Sequence, residues 1–161
     1  MSVLKDFRFP VHASQLPRKR VRLSAAGKSP LEAATPPEFR GGTPGMWSPE
    51  DLLVASVAAC YSLTLDALAT QRDIPIRSVS VEGVGHVTRR AEGRIGFVVI
   101  ELRVELAVQP GFEAAAKRVA HSAKQSCIVG HALEIPIELE LSVRSEGAPA
   151  VARLAEAGSR S

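Results

Sequence analysis

Between Leu52 and Leu68 the chain offers no polar face: Leu52, Leu53, Val54, Val57, Ala58, Ala59, Leu63, Leu65 and Leu68 leave nearly every side of a helix apolar or small. A helix that is greasy all round is surrounded by protein rather than laid on a surface. Its start is marked by Ser48 as an N-cap, by Pro49 at the first helical position and by Asp51, placed to answer the exposed amides. Its end is expected around Arg72 and Asp73, before Pro75. This helix is therefore expected to be central to the fold.

The flanking segments supply sheets and a second helix. Residues 1–24 read as two short strands, Phe7 with Phe9 and Val21 with Leu23, interrupted by Pro10 and Pro17. Residues 25–47 are rich in Gly, Pro, Ser and Thr and read as a loop. Val79 and Val81, followed by Gly83 and Gly85, suggest a strand with a bulge. Val98, Ile100, Leu102, Val104, Leu106 and Val108 alternate with charged residues, the pattern of a long half-buried strand. A helix is expected over 112–126, from Phe112, Ala116, Val119, Ala120 and Ala123. A closing strand runs from Leu133 through Ile135, Ile137, Leu139 and Leu141 to Val143. The class is α+β, with antiparallel sheets packed around two central helices. Residues 1–145 read as a single domain and residues 146–161 as a flexible C-terminal tail.

Charge narrows the partners. The formal net charge of the 161 residues is only +3, and the densest basic run, Arg18, Lys19, Arg20 and Arg22, alternates with Val21 and Leu23 as the solvated face of a strand would. No nucleic acid partner is expected. The opening MSVLKDFRFPVHAS lacks the apolar core and cleavage site of a secretory signal, and no stretch reads as membrane-spanning, so a cytoplasmic protein without a membrane partner is expected. In a reducing compartment two cysteines read as free, metal-bound or redox-active rather than as a structural bridge.

Cys60 lies mid-helix in VAACYSLTL, apolar surroundings that by themselves raise a thiol pKa and leave it inert. To attack anything it needs a cation or donor from outside the helix. Arg40, in the EFRGGTPG approach to the helix, is the nearest candidate. Glu50, at the helix entrance, either complements the helix dipole or orients Arg40. Helical rise places Glu50 about 15 Å along the axis from Cys60. Either Arg40 spans that gap, or a second subunit supplies Arg40 and Glu50 and makes dimerisation a condition of activity. Cys127, in KQSCIVGHAL, can meet Cys60 only through the fold, and alone it reads equally as a packed core thiol. His131, with Cys127, Cys60 and His86, offers a weaker zinc reading without a second local ligand pair. Hydrolase, zincin and nucleotide-binding motifs are missing from the sequence.

The run WSPEDLLVASVAACYSLTLDALA, the Gly/Pro-rich approach with Arg40, and SCIVGHAL near a closing strand together resemble the OsmC/Ohr family (osmotically inducible protein C and organic hydroperoxide resistance proteins) over residues 15–145. The resemblance implies an OsmC-like fold, an intertwined homodimer, and reduction of organic hydroperoxides to alcohols as part of an antioxidant response, without a cofactor or metal. It makes Cys60 the peroxidatic cysteine and Cys127 its disulfide partner, with Arg40 and Glu50 beside the thiolate and a lipoyl-type dithiol as reductant. In one branch of the family the arginine comes from an earlier loop, which makes Arg20 or Arg22 the rival of Arg40. Ile128 departs from relatives that carry Pro after the second cysteine. Phe39, Met46 and Trp47 are candidates to line an entrance for bulky peroxides. The alternative is a non-catalytic OsmC-like dimer that binds an apolar small molecule.

Overall fold

The computed structural model describes residues 6–147. Most of the tail expected over 146–161 lies outside the described residues. The described residues form two compact units that divide between Leu53 and Val54, within the long helix.

In the first unit, β1 (His12–Leu16), β2 (Arg20–Ser24) and β3 (Leu31–Ala34) form an antiparallel sheet in that order. The β1–β2 hairpin turns through Arg18 and Lys19, both at positive φ. Two expectations are corrected here. No strand forms at Phe7 and Phe9, which are exposed ahead of β1. The expected loop over 25–47 contains β3, whose Ala33 and Ala34 are buried, and the Ala34 N–H donates to the Trp47 carbonyl at 2.8 Å.

Helix α1 spans Pro49–Gln71. Its cap is reciprocal: the Asp51 N–H donates to Ser48 Oγ at 3.0 Å, while the Ser48 N–H and hydroxyl both donate to Asp51 Oδ2 at 2.8 Å. At the other end Ile74 N–H returns to the Ala69 carbonyl at 2.9 Å and Asp73 takes φ +53°, a left-handed closing turn that a short acidic side chain tolerates.

In the second unit β4 (Ile76–Arg89), β5 (Ile95–Val108) and β6 (Ile137–Ser145) form the other sheet. The alternation seen in β5 is realised: Ile100, Leu102, Val104 and Leu106 are buried, while outward Arg103 meets Glu82 at 3.3 Å and Glu140 at 3.5 Å. β4 and β5 are antiparallel, but β6 runs parallel to β5. That corrects the all-antiparallel expectation. Parallel neighbours need a long crossover, and the segment holding α2 (Glu113–Ser126) and the single turn α3 (Ile128–His131) provides it.

Val57, Tyr61, Leu65 and Ala69, one turn apart along α1, join Ile100, Leu102, Val119 and Ala120 in one core. Buried Tyr61 ties α1 to α2 by donating its hydroxyl to the Ala120 carbonyl at 3.2 Å, and burial pushes its phenol up to about 12. The rest of the helix is less covered than its composition suggests, since Leu63 is 71% exposed. With 23 residues and a mean hydropathy of 1.8, α1 is also long and apolar enough to cross a membrane, contrary to the expectation that no stretch would be.

The glycines of β4 serve close packing rather than a bulge, for the register shifts fall between Ile76 and Ser78 and between His86 and Val87. A Cβ on Gly83 would stand 2.7 Å from Val54 Cγ1 of α1. Gly83→Ala should therefore cost about 1–3 kcal/mol by overpacking, and Val54→Ala, which removes the obstructing methyl, should recover much of that loss. Urea unfolding of the two single variants and the double variant reads the coupling. An equal penalty for Gly83→Ala in both backgrounds would contradict this contact.

Candidate active site

Cys127 breaks the chain between α2 and α3. Its backbone is extended (φ −72°, ψ 106°), so it caps α3, and its Sγ accepts the Gly130 N–H at 3.3 Å. The break turns the first amides of α3 toward α1. There Cys60 Sγ accepts from the Val129 and Ile128 N–H groups, from the Cys127 thiol and from the Thr64 hydroxyl one turn along its own helix. Both cysteines are free thiols, Cys60 half-buried and Cys127 buried.

These contacts drive the two sulfurs apart electrostatically. Burial is the largest single influence on Cys60 and opposes ionisation, but the Val129 amide, the Cys127 thiol, Thr64 and the Ile128 amide together hold its pKa below the ordinary thiol value. Cys127 moves the other way. Burial pushes it up, the hydrogen bond it donates to Cys60 and the negative charge there push further, and the Gly130 and Val129 amides offset only part of this. Of the two, Cys60 is the one whose ionisation the surroundings favour.

Beside Cys127 lies a cavity of about 260 Å³ whose lining includes Val57, Tyr61, Leu102, Ile137 and, at the rim, Lys124 and His131. Cys127 lines it and Cys60 does not.

The remaining expected site residues belong to the first unit. Arg40 is exposed, and its carbonyl accepts Lys19 Nζ at 2.6 Å. Glu50 is partly buried, with Oε2 enclosed and lacking a hydrogen-bond partner among the described residues, and with Phe39 it borders a second cavity of about 180 Å³. No ion pair joins Arg40 to Glu50 among the described residues. Met46 is partly buried and Trp47 exposed. Arg20 and Arg22, the rival cations, both face Glu32, at 3.6 and 2.8 Å. His86 Nε2 lies 3.0 Å from Glu101 Oε1, and among the described residues no three His, Cys, Asp or Glu side chains converge as metal ligands.

The sequence reading missed Thr64 and the α3 amides. Thr64, four positions after Cys60, was legible as a same-face neighbour. The amides were not, because they carry no side-chain signature. Ile128 also gains a meaning: its N–H is a donor to Cys60 that proline at that position would lack.

The profile of the family described as OsmC-like protein matches residues 42–142. The fold agrees with solved structures of the same kind. An OsmC-like protein of unknown function from Vibrio cholerae is 15% identical, with a TM-score of 0.77, over 85% of this chain and 100% of that one. An organic hydroperoxide resistance protein from Elizabethkingia anophelis is 20% identical, with a TM-score of 0.70, over 91% and 100%. One from Legionella pneumophila is 23% identical, with a TM-score of 0.67, over 85% and 96%. No curated protein sequence matches the chain. With its fold and its paired cysteines, the chain belongs to the OsmC/Ohr family.

The hydrogen bond between the thiols sets a pH test. Iodoacetamide should alkylate Cys60 before Cys127, with a midpoint below that of a free thiol. Cys127→Ala removes a donor to the thiolate, so its Cys60 midpoint should move up. An unmoved profile, read by peptide mass spectrometry across pH, would separate the ionisation of Cys60 from Cys127.

Proposed function

We propose that this chain is a two-cysteine thiol peroxidase that reduces organic hydroperoxides to alcohols. The observation that carries this reading is the contact between the two cysteines, in which Cys127 donates to a Cys60 sulfur that also receives the Val129 and Ile128 amides, so that its pKa is lowered while that of Cys127 is raised. The Cys60 thiolate attacks the outer peroxide oxygen, the O–O bond breaks, and the alkoxide takes a proton from water. Cys60 is oxidised by two electrons to the sulfenic acid. The Cys127 sulfur then attacks Cys60 Sγ, water leaves, and a Cys60–Cys127 disulfide forms. A dithiol of the lipoyl type returns both cysteines to thiols.

The proposed working form is a homodimer in the cytoplasm. In its support, α1 leaves Leu63 uncovered, and Phe7, Phe9 and Val11 are large exposed apolar side chains. In that dimer a second copy supplies Arg40, oriented by Glu50, to hold the peroxide, and Phe39, Met46 and Trp47 favour alkyl over hydrogen peroxide. The non-catalytic reading, a dimer binding an apolar small molecule, has the cavity beside Cys127 in its favour.

Cumene hydroperoxide should abolish two titratable thiols per chain, and dihydrolipoamide should restore them. Cys60→Ser should stop peroxide consumption, whereas Cys127→Ser should permit at most one turnover before over-oxidation. Thiols that survive peroxide would favour the binding protein instead. The arginine is tested separately. Arg40→Ala should lower kcat/KM for cumene hydroperoxide on the order of 100-fold by removing a charged donor, with Arg20→Ala and Arg22→Ala near the parent. The reverse ranking would move the role to β2.

A further inference from the structure

The cavity on the Cys127 side is not accounted for by peroxide attack, because the sulfur it reaches is that of Cys127. Its inner wall, Val57, Tyr61 and Leu102, is fully buried and apolar, with Ile137 beside it, and its rim carries Lys124 and His131, both exposed. At about 260 Å³ it falls just under the ~300 Å³ at which small-molecule pockets begin, room for the end of an alkyl chain. Gly130 forms part of the same wall: a Cβ there would stand 3.0 Å from Ile137 Cδ1 and 3.4 Å from Cys127 Sγ. The wall at this point is thus held as thin as a residue allows, next to the sulfur.

We infer that this cavity is the reductant site, where a small alkyl dithiol enters and attacks Cys127 Sγ of the oxidised pair. The inference rests on the disulfide proposed above and assigns the sulfur attacked and the route taken to it. One thiolate of the dithiol bonds to Cys127 Sγ, the Cys60–Cys127 bond breaks, and Cys60 departs with the electron pair as a thiolate. The second thiol of the reductant then closes on the first, forming its own disulfide. Its proton passes to Cys127 Sγ, which leaves as the thiol. Two electrons pass from dithiol to protein, and no further reactant is needed.

Three features favour this direction. Thiol–disulfide exchange is faster when the departing sulfur is the better-stabilised thiolate. Cys60 departs into the amides of Val129 and Ile128 and the hydroxyl of Thr64, whereas Cys127 would depart into a buried position that disfavours charge. The apolar wall suits an alkyl stem, and Lys124 at the rim favours the thiolate of the incoming reductant. Cys127 is only 3% exposed, so the cavity supplies the access that its surface does not.

The test begins with disulfide formed by diamide, which needs no peroxide turnover. The oxidised full chain is mixed with 6-mercapto-1-hexanol, quenched with acid within the first turnover, alkylated with iodoacetamide and mapped by mass spectrometry. The adduct is expected on Cys127, with Cys60 carbamidomethylated. An adduct chiefly on Cys60, or no disulfide with diamide, overturns the site. Ile137→Trp, which fills the cavity, should slow reduction of the diamide-formed disulfide by dihydrolipoamide at least about tenfold relative to the parent; equal reduction rates would overturn the site. A chain inert to hydroperoxide whose diamide disulfide still opens through Cys127 would remove the peroxidase reading and keep this one.

Discussion

The hydrogen bond that Cys127 donates to Cys60 depends on a break in the backbone between α2 and α3. Were α2 to continue through Cys127, the amides of Ile128 and Val129 would be spent inside the helix on carbonyls one turn back. The break frees them, because the first amides of any helix lack intrahelical partners. Here the amides of Ile128 and Val129 donate to a sulfur on another helix and hold its pKa below the ordinary thiol value.

The surrounding scaffold fixes where the break falls. β6 must run parallel to β5, so the chain between them has to return along the length of the sheet. α2 makes most of that return and lies on the core through Ala116, Val119, Ala120 and Ala123. Tyr61 bonds to α2 at Ala120 from the position next to Cys60, which ties the height of one helix to that of the other. Gly83 allows α1 to approach β4 closely. The encounter of the two cysteines is thus a consequence of packing that involves neither of them.

Local signals were legible and nonlocal ones were not. The start of α1 could be read from Ser48, Pro49 and Asp51, because an N-cap is satisfied by residues within one turn. β5 could be read from its alternation, since one face meets the core and the other meets water. β3 could not: four residues ending in two alanines carry little strand signal amid prolines and glycines. The direction of β6 was equally hidden, for alternation is the same in parallel and antiparallel neighbours. At the site, both cysteines stood out as residue types, but their partners are mostly main-chain groups, which every sequence contains. Side chains alone therefore pointed to arginines as the groups to favour the Cys60 thiolate, although among the described residues it is two amides, a hydroxyl and a thiol that lower its pKa.

That difference bears on how a sulfur can be charged in apolar surroundings. Burying a charge is tolerable only when enough hydrogen bonds replace the lost water, and on α1 the Thr64 hydroxyl supplies one of those that reach Cys60. A guanidinium would supply charge but would also have to be buried and held. Amides already fixed by a helical turn need no such ordering. The identity of residue 128 then becomes a chemical choice: isoleucine keeps a donor that proline would remove. Its own side chain is 81% exposed, so what it contributes to the site comes from its backbone.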